Sequence, residues 1–360
     1  IYDWETKKYK SGSEQITLEI REMERAASDD LQAVLRLIQA GKISVSDKTR
    51  IPTASTQKAI TALLQEGDYY TDPPKEKRQP YDQLIGSIRA YAWPLIVQAA
   101  SLAELSGKKL RLTKAGQRAL NAPAEKSLKS AWHKWLKTTL LDELRRINEI
   151  KGQTGKGQRS LTAVAGRRKA LVTALSDCSV GRWVKINEFF RYIRATGQEF
   201  QVSRHPWNLY ICEADYGSLN YQGGEWGILQ ERYTLCFLFE YAATLGIVDV
   251  AYVHPAGSRH DYGDFWGTDD LEFLSRYDGL LYFRLTPLGA YCLGLTDTYI
   301  PTTVEVRHVL KVLPNLEIVA VGEPLTPGDR LMLEQYAKPV SDTVWRLELG
   351  KLLSVLAKGH

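Results

Sequence analysis

The sequence predicts a mainly α fold with small β-hairpins: two copies of one helical unit in tandem, followed by a small α+β domain. Three observations lead there. Residues 111–120 and 284–293 both read R-L-T-x-x-G-x-x-x-L. Each copy starts in the second strand of a predicted hairpin, and each hairpin follows a long apolar helical stretch, at 93–105 and 228–246. After Pro301 the pattern changes to short apolar strands alternating with helices.

Residues 1–27 are polar and charged, with a short helical stretch, and read as a lead-in segment. The first unit, 28–122, opens on Ser28-Asp29-Asp30, a good helix start. Leu31, Val34, Leu35 and Ile38 follow at helical spacing, and Gly41 stops the helix. Ile43-Ser44-Val45-Ser46 alternates as a short strand. A second helix runs from about Ser55 to Gly67, with Ile60, Leu63 and Leu64 inward. Residues 68–83 carry Pro73, Pro74 and Pro80 among charges and form a loop. The apolar helix comes next, with Pro94 in its first turn. Ser106-Gly107-Lys108-Lys109 then turns a hairpin.

A connecting segment, 123–159, follows. It contains an amphipathic helix at 125–150 with Leu128, Trp132, Trp135, Leu136, Leu140 and Leu144 on one stripe and Lys126, Lys129, His133 and Lys137 on another. Residues 151–159 read as a flexible basic linker. The second unit, 160–300, repeats the order: a helix capped by Ser160, a strand at 183–186, a helix with Phe189, Phe190 and Ile193, the apolar helix, and hairpin strands at 247–253 and 280–285. It adds a Tyr-, Trp- and Gly-rich insertion at 198–227 and a long polar, acidic loop at 257–279. In the last domain, 301–360, strands are predicted at 306–312, 316–321 and 344–349. Helices are predicted at 328–338 and from 352, and the unit reads as incomplete. Ile1 in place of Met, and an end directly after an apolar helical stretch, read as cut ends of a longer protein.

Composition excludes several classes. With 44% apolar and 25% charged residues the chain is an ordinary globular protein. No run of about 18 apolar residues and no signal peptide is present, so neither membrane insertion nor export is expected. Cys178, Cys212, Cys236 and Cys292 are far apart and form no C-x-x-C pair. Each lies in or near an apolar stretch, so buried free thiols in a reducing, cytoplasmic setting are the expectation. The net charge of +5 hides an asymmetry: residues 108–169 hold 17 Lys and Arg against 4 Asp and Glu. Such a block suggests a polyanion-facing surface, although a solvated helical face has the same composition.

Motifs for chemistry are sparse. Residues 152–159 resemble a phosphate loop only superficially, because Gln158 stands where the lysine belongs. His254, His260, Asp261 and Asp264 crowd one loop and suggest either a metal site, with a nuclease as one reading, or a polar loop without ligand. Trp132 and Trp135 suggest core packing more than base stacking, because they share the apolar stripe. No nucleophile or metalloprotease motif is present. No catalytic residue, metal or cofactor is therefore expected.

Each repeated motif, with its hairpin and flanking helices, resembles the wing strand and following helix of a winged-helix domain. Residues 312–321 and 325–331 together resemble the start of the helicase-associated domain of bacterial proteins, which is similar to the N-terminal domain of XPB-type helicases. The resemblance implies DNA as partner, with a helicase or other ATPase as either a missing part or a separate partner, in repair or genome defence. In a winged helix the hairpin tip lies along a phosphate backbone, which puts Lys108, Lys109, Arg111, Lys114 and Arg118 on DNA. Lys151, Lys156, Arg159, Arg167, Arg168 and Lys169 are expected to extend that surface. The helices before the hairpins are too apolar to read bases, so backbone binding without an active site is the leading expectation. A protein-interaction scaffold is the alternative.

Overall fold

The computed structural model describes residues 2–3, 8–9, 17–79, 82–214, 216–219, 226–300, 309–322 and 325–356. β1 (Tyr2–Asp3) pairs with β2 (Lys8–Tyr9), and β3 (Glu19–Arg21) leads into α1 (Met23–Gln39). α1 starts five residues ahead of Ser28. Its first amide, that of Met23, donates to Asp249 Oδ1 at 2.7 Å, so a carboxylate far along the chain sets the helix start. Asp30 is no cap; it is fully buried and ion-paired with Arg89. α2 (Ala54–Thr61) is capped by Thr53, whose hydroxyl accepts from the Thr56 amide. α3 (Arg89–Ala99) also begins early. The Asp68 carboxylate accepts from the amides of Ile88, Arg89 and Ala90 at 3.1, 3.0 and 3.2 Å, and Pro94 consequently lies inside the helix. The hairpin of β4 (Ala103–Ser106) and β5 (Lys109–Leu112) and the short α4 (Lys114–Ala119) complete the first unit.

The connecting helix is shorter than its apolar stripe suggests. α5 (Ala124–Trp135) stops where the buried Arg168 guanidinium takes its last carbonyl, that of Trp135, and then the Thr138 and Leu141 oxygens of the chain that follows. The segment expected to be a flexible linker is packed. β6 (Ile150–Lys151) pairs with β8 (Tyr210–Ile211), and α6 (Lys156–Ser160) lies against residues 206–208. α7 (Val164–Ser176), β7 (Trp183–Lys185) and α8 (Ile186–Ala195) follow. The apolar helix spans 226–242, with α9 (Arg232–Cys236) as its α-helical middle and wider π-type turns on either side. β9 (Val248–Tyr252), β10 (Leu280–Leu285) and α10 (Pro287–Leu293) close the second unit.

The repeated motif has a structural cause. Thr113 and Thr286 each cap the following helix, accepting from the amides of Gly116 and Gly289. Each threonine hydroxyl also donates back to the start of the hairpin, Thr113 to Ser101 and Leu102 oxygens, Thr286 to Gly246 and Ile247 oxygens. A Cβ on Gly116 would sit 2.0 Å from the Leu102 oxygen, and one on Gly289 2.1 Å from the Ile247 oxygen. The helix can approach the strand only through glycine. We therefore expect Gly289→Ala to destabilise by about 1–3 kcal/mol. Gly166→Ala, in open space on α7, should stabilise by about 0.5–1 kcal/mol. Thermal melts of the two variants moving in the same direction would contradict these roles for the two glycines.

The mainly α architecture of two winged-helix domains in tandem is corrected by the sheets: the fold is mixed α/β. The hairpin β9–β10 does not stay small. β3, from the supposed lead-in, covers its β9 edge, and β7 covers the other, giving the antiparallel order β3-β9-β10-β7. An open hairpin edge beside a segment of 19–21 with free backbone groups is the physical reason. One continuous core runs from Met23 to Cys292 through both repeats and the connector. The C-terminal unit comprises β11 (Val309–Val312), β12 (Glu317–Val321), α11 (Pro327–Tyr336), β13 (Ala337–Pro339), β14 (Val344–Leu347) and α12 (Leu349–Leu356). Its sheet, ordered β11-β12-β14-β13, has a small core of Ile318, Leu325, Leu333, Ala337 and Trp345, and α11 rests on α1. The start of the strand expected at 306 lies outside the described residues.

Candidate functional site

The first hairpin presents its basic residues to solvent. Gly107, at positive φ, turns the chain, and Lys108 and Lys109 sit exposed at the tip. Leu110 points into the core, so Arg111 returns to the same face as Lys109. A third short strand adds to this edge through the Ser44–Lys109 bridge. Arg111 pairs with Glu104 across the hairpin at 2.8 Å, both well exposed, an interaction of little energetic weight. Lys114 and Arg118 lie exposed on α4.

Two expected contacts are not available. Arg167 and Arg168 are buried: Arg167 grips Asp142 with two hydrogen bonds of 2.8 and 2.6 Å, and Arg168 donates to Glu143 at 2.6 Å. Both are internal braces, and their charges are matched inside the fold. Arg146 is buried too, against Glu240. Setting these three aside leaves 14 of the 17 basic residues of 108–169, against Glu125 and Glu149 as the carboxylates not used by Arg167 or Arg168. The block remains strongly basic toward solvent. Lys169, one residue on, is exposed.

Lys151, Lys156 and Arg159 are exposed on a second surface, formed where β6 and α6 meet residues 206–211. The glycines of this stretch are packing devices. A Cβ on Gly152 would meet the Asn208 oxygen at 2.1 Å, and one on Gly157 the Gly152 oxygen at 1.8 Å. The backbone is thus closed on itself and on Asn208, which leaves no phosphate cradle. Trp132 and Trp135 are completely buried, Trp135 stacked on Tyr241 at 4.1 Å, so neither can receive a base. The apolar helices before the hairpins are buried as well: every residue of 89–97 and of 232–242 is inside.

The His254–Asp264 loop folds over the helix 226–242. Asp261 gives both carboxylate oxygens to Arg232, which also pairs with buried Asp278 at 3.1 Å. His254 accepts the Ala256 amide, and His260 faces solvent. Among the described residues no three His, Cys, Asp or Glu side chains are placed to hold a metal ion. Arg259, His260, Asp261 and Glu231 line an open cleft of about 840 Å³ together with α8. Burial pushes the Glu231 carboxyl up to about 7, against the opposing pull of Arg259 and Arg232. A carboxyl raised on folding contributes stability that is complete below about pH 4.5 and fades as pH rises through about 7. Glu231→Gln should therefore flatten the decline in stability between pH 5 and 8, gaining about 1–2 kcal/mol over the parent at the alkaline end. Parallel urea-denaturation curves at each pH for the two proteins would disprove it.

Among the described residues no helix is long and apolar enough to cross a membrane. No family model, no curated protein and no solved structure matches the chain.

Proposed function

We propose that this chain is a DNA-binding accessory protein without catalytic activity of its own, holding the nucleic-acid backbone with little sequence preference. The exposed basic hairpin carries the reading. Lys108 and Lys109 project at its tip, Arg111 shares the face of Lys109, and Lys114 and Arg118 continue onto α4. The exposed pairing of Arg111 with Glu104 is weak enough to yield to a phosphate. Burial of both pre-hairpin helices supports low sequence preference, because no polar helix face is offered to a major groove. In keeping with the likeness of residues 312–321 and 325–331 to the start of a helicase-associated domain, the proposed setting is an assembly with a separate helicase or ATPase.

Fluorescence anisotropy with a mixed-sequence duplex across a salt series tests this. Binding that weakens steeply and linearly on a log–log plot, and equally for unrelated sequences, is the expected result. Absence of binding at low salt would overturn the reading in favour of a protein-interaction scaffold. One observation favours that second reading: Leu310, Val312, Leu313 and Leu316 are exposed on the β11–β12 hairpin.

A further inference from the structure

Aromatic side chains that face solvent are concentrated in one place. Among the described residues, the tyrosines and tryptophans more than half exposed are Trp207 at 59%, Tyr216 at 63% and Trp266 at 56%. All three belong to one lobe. Residues 207–214 and 216–219 fold against each other, with Leu219 N bonded to Leu209 O, Tyr210 bridged to Ser218, and Ser218 Oγ donating to Trp207 O. Cys212 Sγ donates to Gly267 O, which ties in the segment carrying Trp266, and the Tyr216 and Trp266 rings lie 5.7 Å apart. Nothing in the core requires three large rings here, since the neighbouring Leu209, Ile211 and Leu219 already fill it.

Cations border the same lobe. β8 pairs with β6, opposing Tyr210 to Lys151. The Arg204 amide donates to Ser160 O at 2.9 Å and Ser160 Oγ meets Ser203 Oγ at 3.1 Å, which sets the Arg204 backbone against Ser160, the residue after Arg159. Lys156 starts α6, which packs on 206–208, next to Trp207. Lys151, Lys156, Arg159, Arg204 and His205 are all exposed. The carboxylates nearby are Glu213 in the lobe itself on the Tyr216 side, Glu149, 3.5 Å from Lys151, and Asp264, Asp269 and Asp270 flanking Trp266 in sequence. Positive charge is therefore densest on the Trp207 side.

Rings beside cations are what an unpaired strand needs: phosphates meet the cations and splayed bases lie on the rings, whereas a duplex keeps its base faces stacked internally. We propose that the lobe is a single-stranded nucleic-acid platform, with the backbone along Lys156, Arg159 and Arg204 and a base stacked on Trp207. The Tyr216–Trp266 pair receives a further base. The proposal rests on the DNA-binding reading and specifies strand type: the first hairpin holds duplex, and this lobe holds the single strand leading from it.

The test is anisotropy of the full chain with a mixed-sequence single strand of about 20 nucleotides, the matching duplex, and an abasic strand of the same length. Trp207→Ala should weaken single-strand binding about 10-fold and leave duplex and abasic-strand binding unchanged. The double variant Lys156→Glu, Arg159→Glu should weaken all single strands, the abasic one included. Unaltered thermal melts should accompany these exposed substitutions, which leave the fold intact. If Trp207→Ala and Trp266→Ala both keep single-strand affinity within about twofold while hairpin variants still lose duplex, the platform is wrong and the backbone reading stands. If the parent protein binds none of the three, both fall.

Discussion

Replacing Lys108, Lys109 and Arg111 together by Glu should cut affinity for a mixed-sequence duplex about 100-fold near 0.1 M salt and lower the log–log salt slope by about 3. Each of the three is exposed on the hairpin face, and every phosphate that is no longer neutralised takes about 0.9 from the slope. The fold should not suffer. Leu110 and Leu112, which anchor the hairpin, are untouched, and the one ion pair broken, Arg111 to Glu104, is solvent-exposed. Charge reversal at buried Arg167 and Arg168 would answer a different question, because those side chains brace the connector and their loss unfolds it. An unchanged salt slope in the hairpin variant would remove the first hairpin from the interface, leaving Lys151, Lys156 and Arg159 as the alternative.

Glu240→Ala should destabilise residues 23–293 by about 3–5 kcal/mol, enough to remove much of the stability of an ordinary domain. Glu240 is fully buried and receives Arg146 Nε at 3.0 and 2.9 Å on its two oxygens, along with the Tyr277 hydroxyl. Arg146 reaches on to Ser87 O at 2.8 Å and lies over the Tyr91 ring at 3.5 Å. Burial alone would lower the Arg146 guanidinium, yet Glu240 holds it well above its ordinary value. Removing the carboxylate therefore strands a cation and a phenol inside the core. Because Arg146 joins the connector to both repeats, urea denaturation should shift as one cooperative transition. Arg146→Met combined with Glu240→Met should recover most of the loss, since a matched apolar pair leaves no buried charge. A single-variant cost below about 1 kcal/mol would show that the pair is not buried as described.

Local signals in the sequence are sufficient for local outcomes. The hairpin strand at 280–285 forms at those residues, the apolar stripe of Trp132 and Trp135 is core, and the strongly apolar helix before each hairpin is buried. In each case the information lies within a few turns of chain: periodicity, a turn glycine, an unbroken apolar run. The helix boundaries that depart from the periodicity depend on distant groups. α1 and α3 begin early because Asp249 and Asp68 cap them, and α5 ends early where Arg168 claims its last carbonyl. Charge density alone puts Arg167 and Arg168 on a basic surface. Whether a cation is buried depends on a carboxylate elsewhere, here Asp142 and Glu143, as Glu240 does for Arg146.

The candidate interface divides the same way. That Lys108 and Lys109 stand at an exposed tip follows from Ser106-Gly107 and the alternation of Leu110 with Arg111, a pattern plain in the sequence. That Trp207, Tyr216 and Trp266 share a lobe with Lys156 and Arg159 does not, since those residues come from three separate stretches joined by β6–β8 pairing, the Cys212 bond to Gly267 O and the Tyr216–Trp266 ring contact. By itself the sequence determined the repeat, the two apolar helices and the density of positive charge, because each is a short-range pattern that one helix or hairpin expresses alone. Only the tertiary structure decided that β3 completes the sheet of the second repeat, that the repeats share one core, and which cations face water, because each of these depends on a partner group that folding brings near.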